Sequence, residues 1–340
     1  MSIEYRLAQM VDINILIKFQ DYKKYFPCYV GFEKPEQIRK VIKDSYKKNQ
    51  LFLCHPETFP TLLAFDYENK IPLGYIATVT GVEESITGEK QLLIYDFHIL
   101  DVPEKEEIFN HFIDFAENQA IKYNLSYMIT EIPFEAEELE NMFHKKDFSV
   151  EMNRIVKLCS HHEFTGKRQE NIKVRPGEES DRFFMMLLNA QNSGFLIPAD
   201  RKASSEEIQQ KYFEHYSQMP IDEEPFLHIF IAEDLINLQP AGYIIIKTSA
   251  IDQVSRQSMA YIYDLNVHKD YWGKYVTQRL VKEAENWLVE DNIHLLIGDI
   301  SDSNPRPLKT ALKTLNFTLY SRRWVKEPGK KEANKKPQAD

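Results

Sequence analysis

Apolar positions follow two rhythms along this chain. At Ile108, Phe112, Ile113 and Ala116, and again at Val276, Leu280, Val281 and Ala284, they recur every three or four residues, the buried stripe of a helix. Elsewhere they form strand-length runs rich in β-branched and aromatic residues: LLAFDY, GYIATV and LLIYDFHIL, then FLHIFIAED, GYIIIK and AYIYDLNV. Each half opens with a short strand, IEYRLA or IKVRPG, and an amphipathic helix starting near Asp12 or Asp181, where a carboxylate can accept bonds from unpaired amides. Variable segments follow, Phe32 to Gln50 and Asn192 to Gln218, the second broken by Pro198 and followed by Pro220. After the long helix come SYMITEI or HLLIGDI, another helix, and the closing strands FSVEMNRIVK or FTLYSRRWVK. Three consecutive strands joined by hairpins and later crossovers through helices predict a mixed α/β fold, a largely antiparallel sheet flanked by helices. Gly74 and Gly242, each after a proline, fit hairpin turns.

The two halves are one pattern written twice. Asn69, Pro72, Gly74, Tyr75 and Ile76 recur at Asn237, Pro240, Gly242, Tyr243 and Ile244, and Ile94, Tyr95 and Asp96 recur at Ile262, Tyr263 and Asp264. Ile3, Arg6 and Asp12 match Ile172, Arg175 and Asp181, while Arg154, Val156 and Lys157 match Arg323, Val325 and Lys326. A collinear series of this kind marks two copies of a whole domain, because a solenoid unit repeats every 20–50 residues or so. The expected division is a first domain over 1–158, a polar linker over 159–171, a second domain over 172–326 and a disordered, Lys- and Pro-rich tail over 327–340.

Composition narrows the partners. A formal charge of −10 argues against non-specific binding of nucleic acid, which needs basic surface to displace counterions. Cys28, Cys54 and Cys159 stand far apart without metal-ligand spacing, so they read as reduced thiols, and no metal site is expected. The amino terminus lacks a basic and apolar leader, and no apolar run approaches the roughly 18 residues of a membrane span. The expectation is a cytoplasmic protein with no membrane partner.

The chemistry concentrates in the second half, where the strand YIYDLNV runs through a tight loop into a helix. Such a helix start points free N–H groups at whatever lies over the loop, and a pyrophosphate suits it, helped by the helix dipole and by Lys274. At this loop the chain resembles the GCN5-related N-acetyltransferase (GNAT) family, and the likeness runs through the element order of both halves. The family's loop usually reads R-G-K-G-x-G after a strand ending L-x-V, and it cradles the pyrophosphate of acetyl-coenzyme A. Here the strand end is Leu265, Asn266 and Val267, and the loop is Trp272, Gly273, Lys274, Tyr275, Val276 and Thr277. Gly273 and Lys274 match, Trp272 replaces arginine, and Tyr275 and Thr277 replace small residues. Trp272 suits either stacking on the adenine or capping the helix. Asn304, after the next strand, matches a family asparagine, and Asn316 with Phe317 stands for the family's G-F pair. The resemblance therefore implies two tandem acyl-CoA N-acyltransferase domains, with acetyl-CoA as co-substrate in the second.

The first copy has Glu104, Lys105, Glu106, Glu107, Ile108 and Phe109 at the loop positions, without glycine. Three carboxylates where a pyrophosphate would lie repel it by about 1 kcal/mol each even in high dielectric, so the first copy is expected to be degenerate.

Transfer to an amine needs a proton acceptor, because an alkylamine with a pKa of about 10.4 is protonated at neutral pH. Asp264 is the candidate base, with a structural role as the alternative since Asp96 repeats it. Tyr320 is the candidate to protonate the leaving thiolate, because Ala311 and Leu312 occupy the region where many family members carry a tyrosine. Asp299, His268 and His294 have weaker claims. The expected function is acetyl transfer from acetyl-CoA to a primary amine of a small molecule or protein by direct attack. The alternative is a non-catalytic acyl-CoA sensor or interaction module. The two copies are expected to form an intramolecular pseudo-dimer.

Overall fold

The computed structural model describes residues 2–23, 35–48, 55–84, 87–162, 171–192, 204–221, 224–251 and 258–329. The first repeat runs β1 (Ile3–Leu7), α1 (Ile13–Phe19), α2 (Pro35–Lys48), β2 (Thr61–Asp66), β3 (Pro72–Glu83), β4 (Lys90–Ile99), α3 (Lys105–Lys122), β5 (Tyr127–Pro133), α4 (Glu137–His144) and β6 (Ser149–Leu158). The second runs β7 (Ile172–Pro176), α5 (Arg182–Asn192), α6 (Ser205–Ser217), β8 (Leu227–Asp234), β9 (Gln239–Ile251), β10 (Ser258–Val267), α7 (Val276–Glu290), β11 (Leu295–Ser301), α8 (Pro305–Lys313) and β12 (Thr318–Lys326). Both follow the predicted order.

Each sheet is covered on both faces, which is why its central strands carry apolar residues on both sides. On β9, Ile244 and Ile246 pack with Leu280, Val281 and Ala284 of α7, while Tyr243 and Ile245 face Met185 and Leu188 of α5 and Tyr216 of α6. On β3, Ile76 meets the stripe of α3, and Tyr75 and Ala77 meet Leu16 and Phe19 of α1.

The chain divides into two compact units, Met1–Glu151 with Ser321–Asp340, and Met152–Tyr320. The first unit has strand order β1-β2-β3-β4-β5-β12, and the second β6-β11-β10-β9-β8-β7. This corrects the expected division at 158 and 172, because the closing strands are exchanged. β6, encoded in the first repeat, lies antiparallel to β11, and β12 lies antiparallel to β5. Duplication hides this from sequence. Arg154 faces Asp299 across the exchanged pair, and Arg323 faces Glu131, so either closure would set an arginine opposite an acid. In the expected linker, Cys159 N–H bonds the His294 carbonyl at 2.8 Å and His162 N–H bonds Asn286 Oδ1 at 2.6 Å, and 163–170 lie outside the described residues. Of the expected tail, Gly329 N–H bonds Glu117 Oε1 at 2.8 Å, and 330–340 lie outside the described residues.

Two local readings change. Gly74 and Gly242 lie inside strands, opposite Ile99 and Val267, and a Cβ on Gly242 would sit 2.7 Å from the Asn266 carbonyl oxygen. The hairpin turns are made instead by Asp66 with Asn69 and by Asp234 with Asn237, each aspartate accepting from two turn amides and from the asparagine side chain. Asp12 and Asp181 end a short 3-10 turn, where each accepts the Gln9 or Glu178 amide and a two-pronged bond from Arg6 or Arg175. These arginines hold both carboxyls below the usual range, against the opposing pull of burial.

Candidate active site

The second unit opens where two parallel strands part. β10 pairs with β11 only from Met259 to Ile262, against Leu295 to Gly298, and then runs on to Val267 beside β9 alone. The register with β9 slips between Ile262 and Asp264, a bulge at Tyr263. A bulge bends its strand and increases the local twist, so it steers β10 away from β11. The β11 side of Tyr263 to Val267 is left without a strand partner, and its backbone groups can bond an extended ligand. Gly242 keeps β9 close beneath this stretch.

At the end of the gap, the chain turns into α7. Tyr271 is buried and its hydroxyl donates to Asp234 Oδ2 at 2.9 Å, tying the loop to the β8–β9 turn. Trp272 donates from Nε1 to the Val267 carbonyl at 2.9 Å, tying the loop to the end of β10. Gly273 has φ 77°, and Tyr275 takes φ 66°, the left-handed region that non-glycine residues seldom occupy. Tyr275 thus holds the backbone that glycine would give, at the cost of strain. The first helical bond runs from Arg279 N–H to the Tyr275 carbonyl at 3.0 Å. Amides 276 to 278 precede it and are the unsatisfied donors of the helix start. Leu265 is half-buried, Val267 is buried in the core, and Lys274 sits 5.1 Å over the Tyr271 ring.

The matching start of α3 is filled by its own charges. Glu104 has an ordinary negative φ, Lys105 pairs with Glu138, and Glu106 pairs with Lys145 at 2.8 Å.

Asp264 lies under β10 rather than in the gap. Tyr216 donates to Oδ2, as do Tyr243 at 2.7 Å and Asn189 at 3.0 Å, and Asn266 donates to Oδ1 at 2.9 Å. Burial pushes both tyrosine phenols well above their ordinary range. Asn266 therefore belongs to this buried cluster, where Asn192 also donates to it at 2.9 Å. In the first unit Asp96 accepts from Tyr75 and Tyr46, each at 2.6 Å, and pairs with buried Lys23. Asn192 occupies the place of Lys23, so the cation of the first copy has become a neutral amide.

The other expected residues are scattered. Asp299 is engaged by Arg154 Nε at 3.0 Å and by the Tyr261 hydroxyl at 2.8 Å. Tyr320 is half-buried on β12 and belongs to the second unit, one residue before that strand's first pair with β5 at Ser321. Asn304 caps α8 without a side-chain bond and is half-buried. His268 accepts from Asp270 N–H at 3.4 Å and His294 is exposed. Cys28 and Cys54 lie outside the described residues. Among the described residues no group of three or more His, Cys, Asp or Glu is placed to hold a metal, and no helix is long and apolar enough to cross a membrane.

Residues 187–317, which contain the gap and its loop, match the acetyltransferase (GNAT) family model. The second repeat is a GNAT domain. Its fold extends to both repeats: a GCN5-related N-acetyltransferase from Sphaerobacter thermophilus superposes with TM-score 0.54 at 9% identity, over 96% of this chain and 95% of that one. A glucosamine N-acetyltransferase region of a fungal multi-domain β-N-acetylglucosaminidase gives TM-score 0.55 at 11% identity, over 95% of this chain and 38% of that one. No curated protein matches the sequence. Within the GNAT domain, sequence reasoning missed the bulge at Tyr263 and the partners of Asp264. The signal was available, since Tyr95 and Asp96 repeat as Tyr263 and Asp264, and two adjacent polar residues in an apolar strand can share a face only across a bulge.

Proposed function

We propose that the protein transfers an acetyl group from acetyl-CoA to a primary amine by direct attack, in the second unit. The observation that carries this reading is the pairing, in one copy only, of the β10–β11 gap with an unblocked helix start. The gap suits the extended pantetheine arm, bonded along Leu265 to Val267, and the amides from Val276 to Gln278, presented by the turn through Tyr275 and Thr277, suit the pyrophosphate together with Lys274. Gly273 lets the loop approach it, Trp272 closes its edge, and Asn304 borders the thioester end. Asp264 acts as a positioning residue, fixing β10 through Tyr243 and Asn266, because neutral donors already occupy its oxygens.

The saturation of Asp264 also favours a second reading, a non-catalytic acyl-CoA sensor. Release of free CoA thiol by the full chain, with acetyl-CoA and a panel of primary amines, separates the two. Amine-dependent release supports transfer; binding of acetyl-CoA without release supports the sensor.

A further inference from the structure

The bulge puts two polar side chains of β10 on the same face, and only Asp264 has been accounted for. Its neighbour Tyr263 is half-buried at the first position beyond the last β10–β11 pair. The Tyr263 hydroxyl lies 2.7 Å from His215 Nε2 on α6, and Lys247 Nζ on β9 lies 3.9 Å from the centre of the Tyr263 ring. In the first copy the tyrosine is kept as Tyr95, but its surroundings are not. Tyr46 and Tyr216 bond the matched aspartates, so Ser45 stands where the second copy has His215, and Val79 stands where it has Lys247. Tyr95 is bonded by Thr61 and Tyr46 instead, so among the described residues a histidine and a lysine beside the bulged tyrosine belong to the copy with the open helix start.

We propose that Tyr263 and His215 form a proton relay that deprotonates the amine acceptor at the opening of the β10–β11 gap. This rests on the acetyltransferase reading above. The acceptor arrives as an ammonium ion; its proton passes to the Tyr263 oxygen as the tyrosine's own proton passes to His215 Nε2, and the imidazolium releases a proton from Nδ1 to solvent. The neutral amine then forms the N–C bond with the thioester carbon, and the C–S electron pair leaves with sulfur. One of the two protons on the attacking nitrogen goes to the thiolate and the other stays on the amide, giving amide and free thiol. His215 is suited to receive a proton because it is neutral at physiological pH: burial and then the Lys247 charge hold it below the ordinary histidine value, against the opposing pull of Asp264. Among the described residues, Lys247 from β9, Asp264 from β10, Tyr216 from α6, whose ring lies edge-on at 5.8 Å, and Tyr263 itself are the charged and titratable groups that face it.

The test is steady-state turnover of the full chain with acetyl-CoA and an amine substrate across pH. His215→Gln is expected to lower kcat about 100-fold, to abolish the acid limb of the kcat/KM profile, and to leave acetyl-CoA affinity by calorimetry unchanged. Tyr263→Phe should lower kcat similarly, with the double variant no slower than either single. Lys247→Met, which leaves both relay residues in place, should move the acid limb to higher pH. Turnover of His215→Gln within twofold of wild type with the acid limb intact, or an acid limb unmoved in Lys247→Met, overturns the relay while leaving the acetyltransferase reading standing. Absence of turnover in the wild-type chain instead overturns the acetyltransferase reading, and the relay with it.

Discussion

Lys157 Nζ lies 2.8 Å from Glu285 Oε2, with the two side chains 9% and 0% exposed. The lysine is on the closing strand of the first repeat and the glutamate on α7 of the second, and Lys326 pairs with Glu117 at 2.8 Å in the reverse sense. Removing one partner of a buried pair strands the other charge, at a cost of about 3–5 kcal/mol. Glu285 Oε2 also has His162 Nε2 at 3.0 Å, so Lys157→Met should destabilise the chain by at most about that amount, and Glu285→Gln added to it should recover part of the loss. Denaturant unfolding of the two single variants and the double measures this directly. The same exchange means that a chain cut between the repeats lacks β12 in one half and β6 in the other.

The two buried aspartates should respond differently to neutralisation. Asp96→Asn leaves buried Lys23 without its carboxylate and should cost about 3–5 kcal/mol. Asp264→Asn removes a charge whose donors among the described residues are neutral, so its cost should be smaller, on the order of 1–3 kcal/mol from misdirected hydrogen bonds. Thermal or denaturant midpoints of the pair provide the comparison, and equal losses would contradict the assignment of a cation to one cluster only.

Gly242→Ala should couple stability to ligand binding. The new methyl would sit 2.7 Å from the Asn266 carbonyl, a backbone atom that moves only if β10 moves. A loss of about 1–3 kcal/mol is expected, with a weaker affinity for acetyl-CoA. Gly74→Ala meets the His98 carbonyl at the same distance, and should cost similar stability with affinity unchanged.

Burial, assisted by Lys23 and Lys105, pushes His98 down to about 4. The unfolded chain takes up this proton near pH 6.5, while the folded chain resists until near pH 4. The contribution is thus intact above pH 6.5 and lost as pH falls through that window, by up to about 3 kcal/mol. His98→Asn, which copies Asn266 of the second repeat, should flatten this part of the stability profile. Asp12 and Asp181 have depressed pKa values, so their loss comes at lower pH, below the ordinary carboxylate range.

The element order and buried stripes were legible because period and length are local properties: Ile108 to Ala116 and Val276 to Ala284 face the core as their spacing requires. The contrast between the two loops was legible for the same reason, since Glu104 to Glu107 and Gly273 to Lys274 are contiguous. Strand exchange was not legible, because Arg154 and Arg323 find an acid in either closure. The role of Asp264 was hidden because three of its donors, Asn189, Tyr216 and Tyr243, come from other elements. The conformation of Tyr275 was not legible either, because its left-handed backbone, φ 66°, is one its residue type seldom adopts.

Calorimetric titration of the intact chain with acetyl-CoA tests the central claim, that one repeat kept a coenzyme site and the other lost it. The account predicts one site per chain, abolished by Lys274→Glu, which brings to the α7 start the kind of charge found at α3. Two sites per chain, no binding at millimolar ligand, or binding unaffected by Lys274→Glu would contradict it.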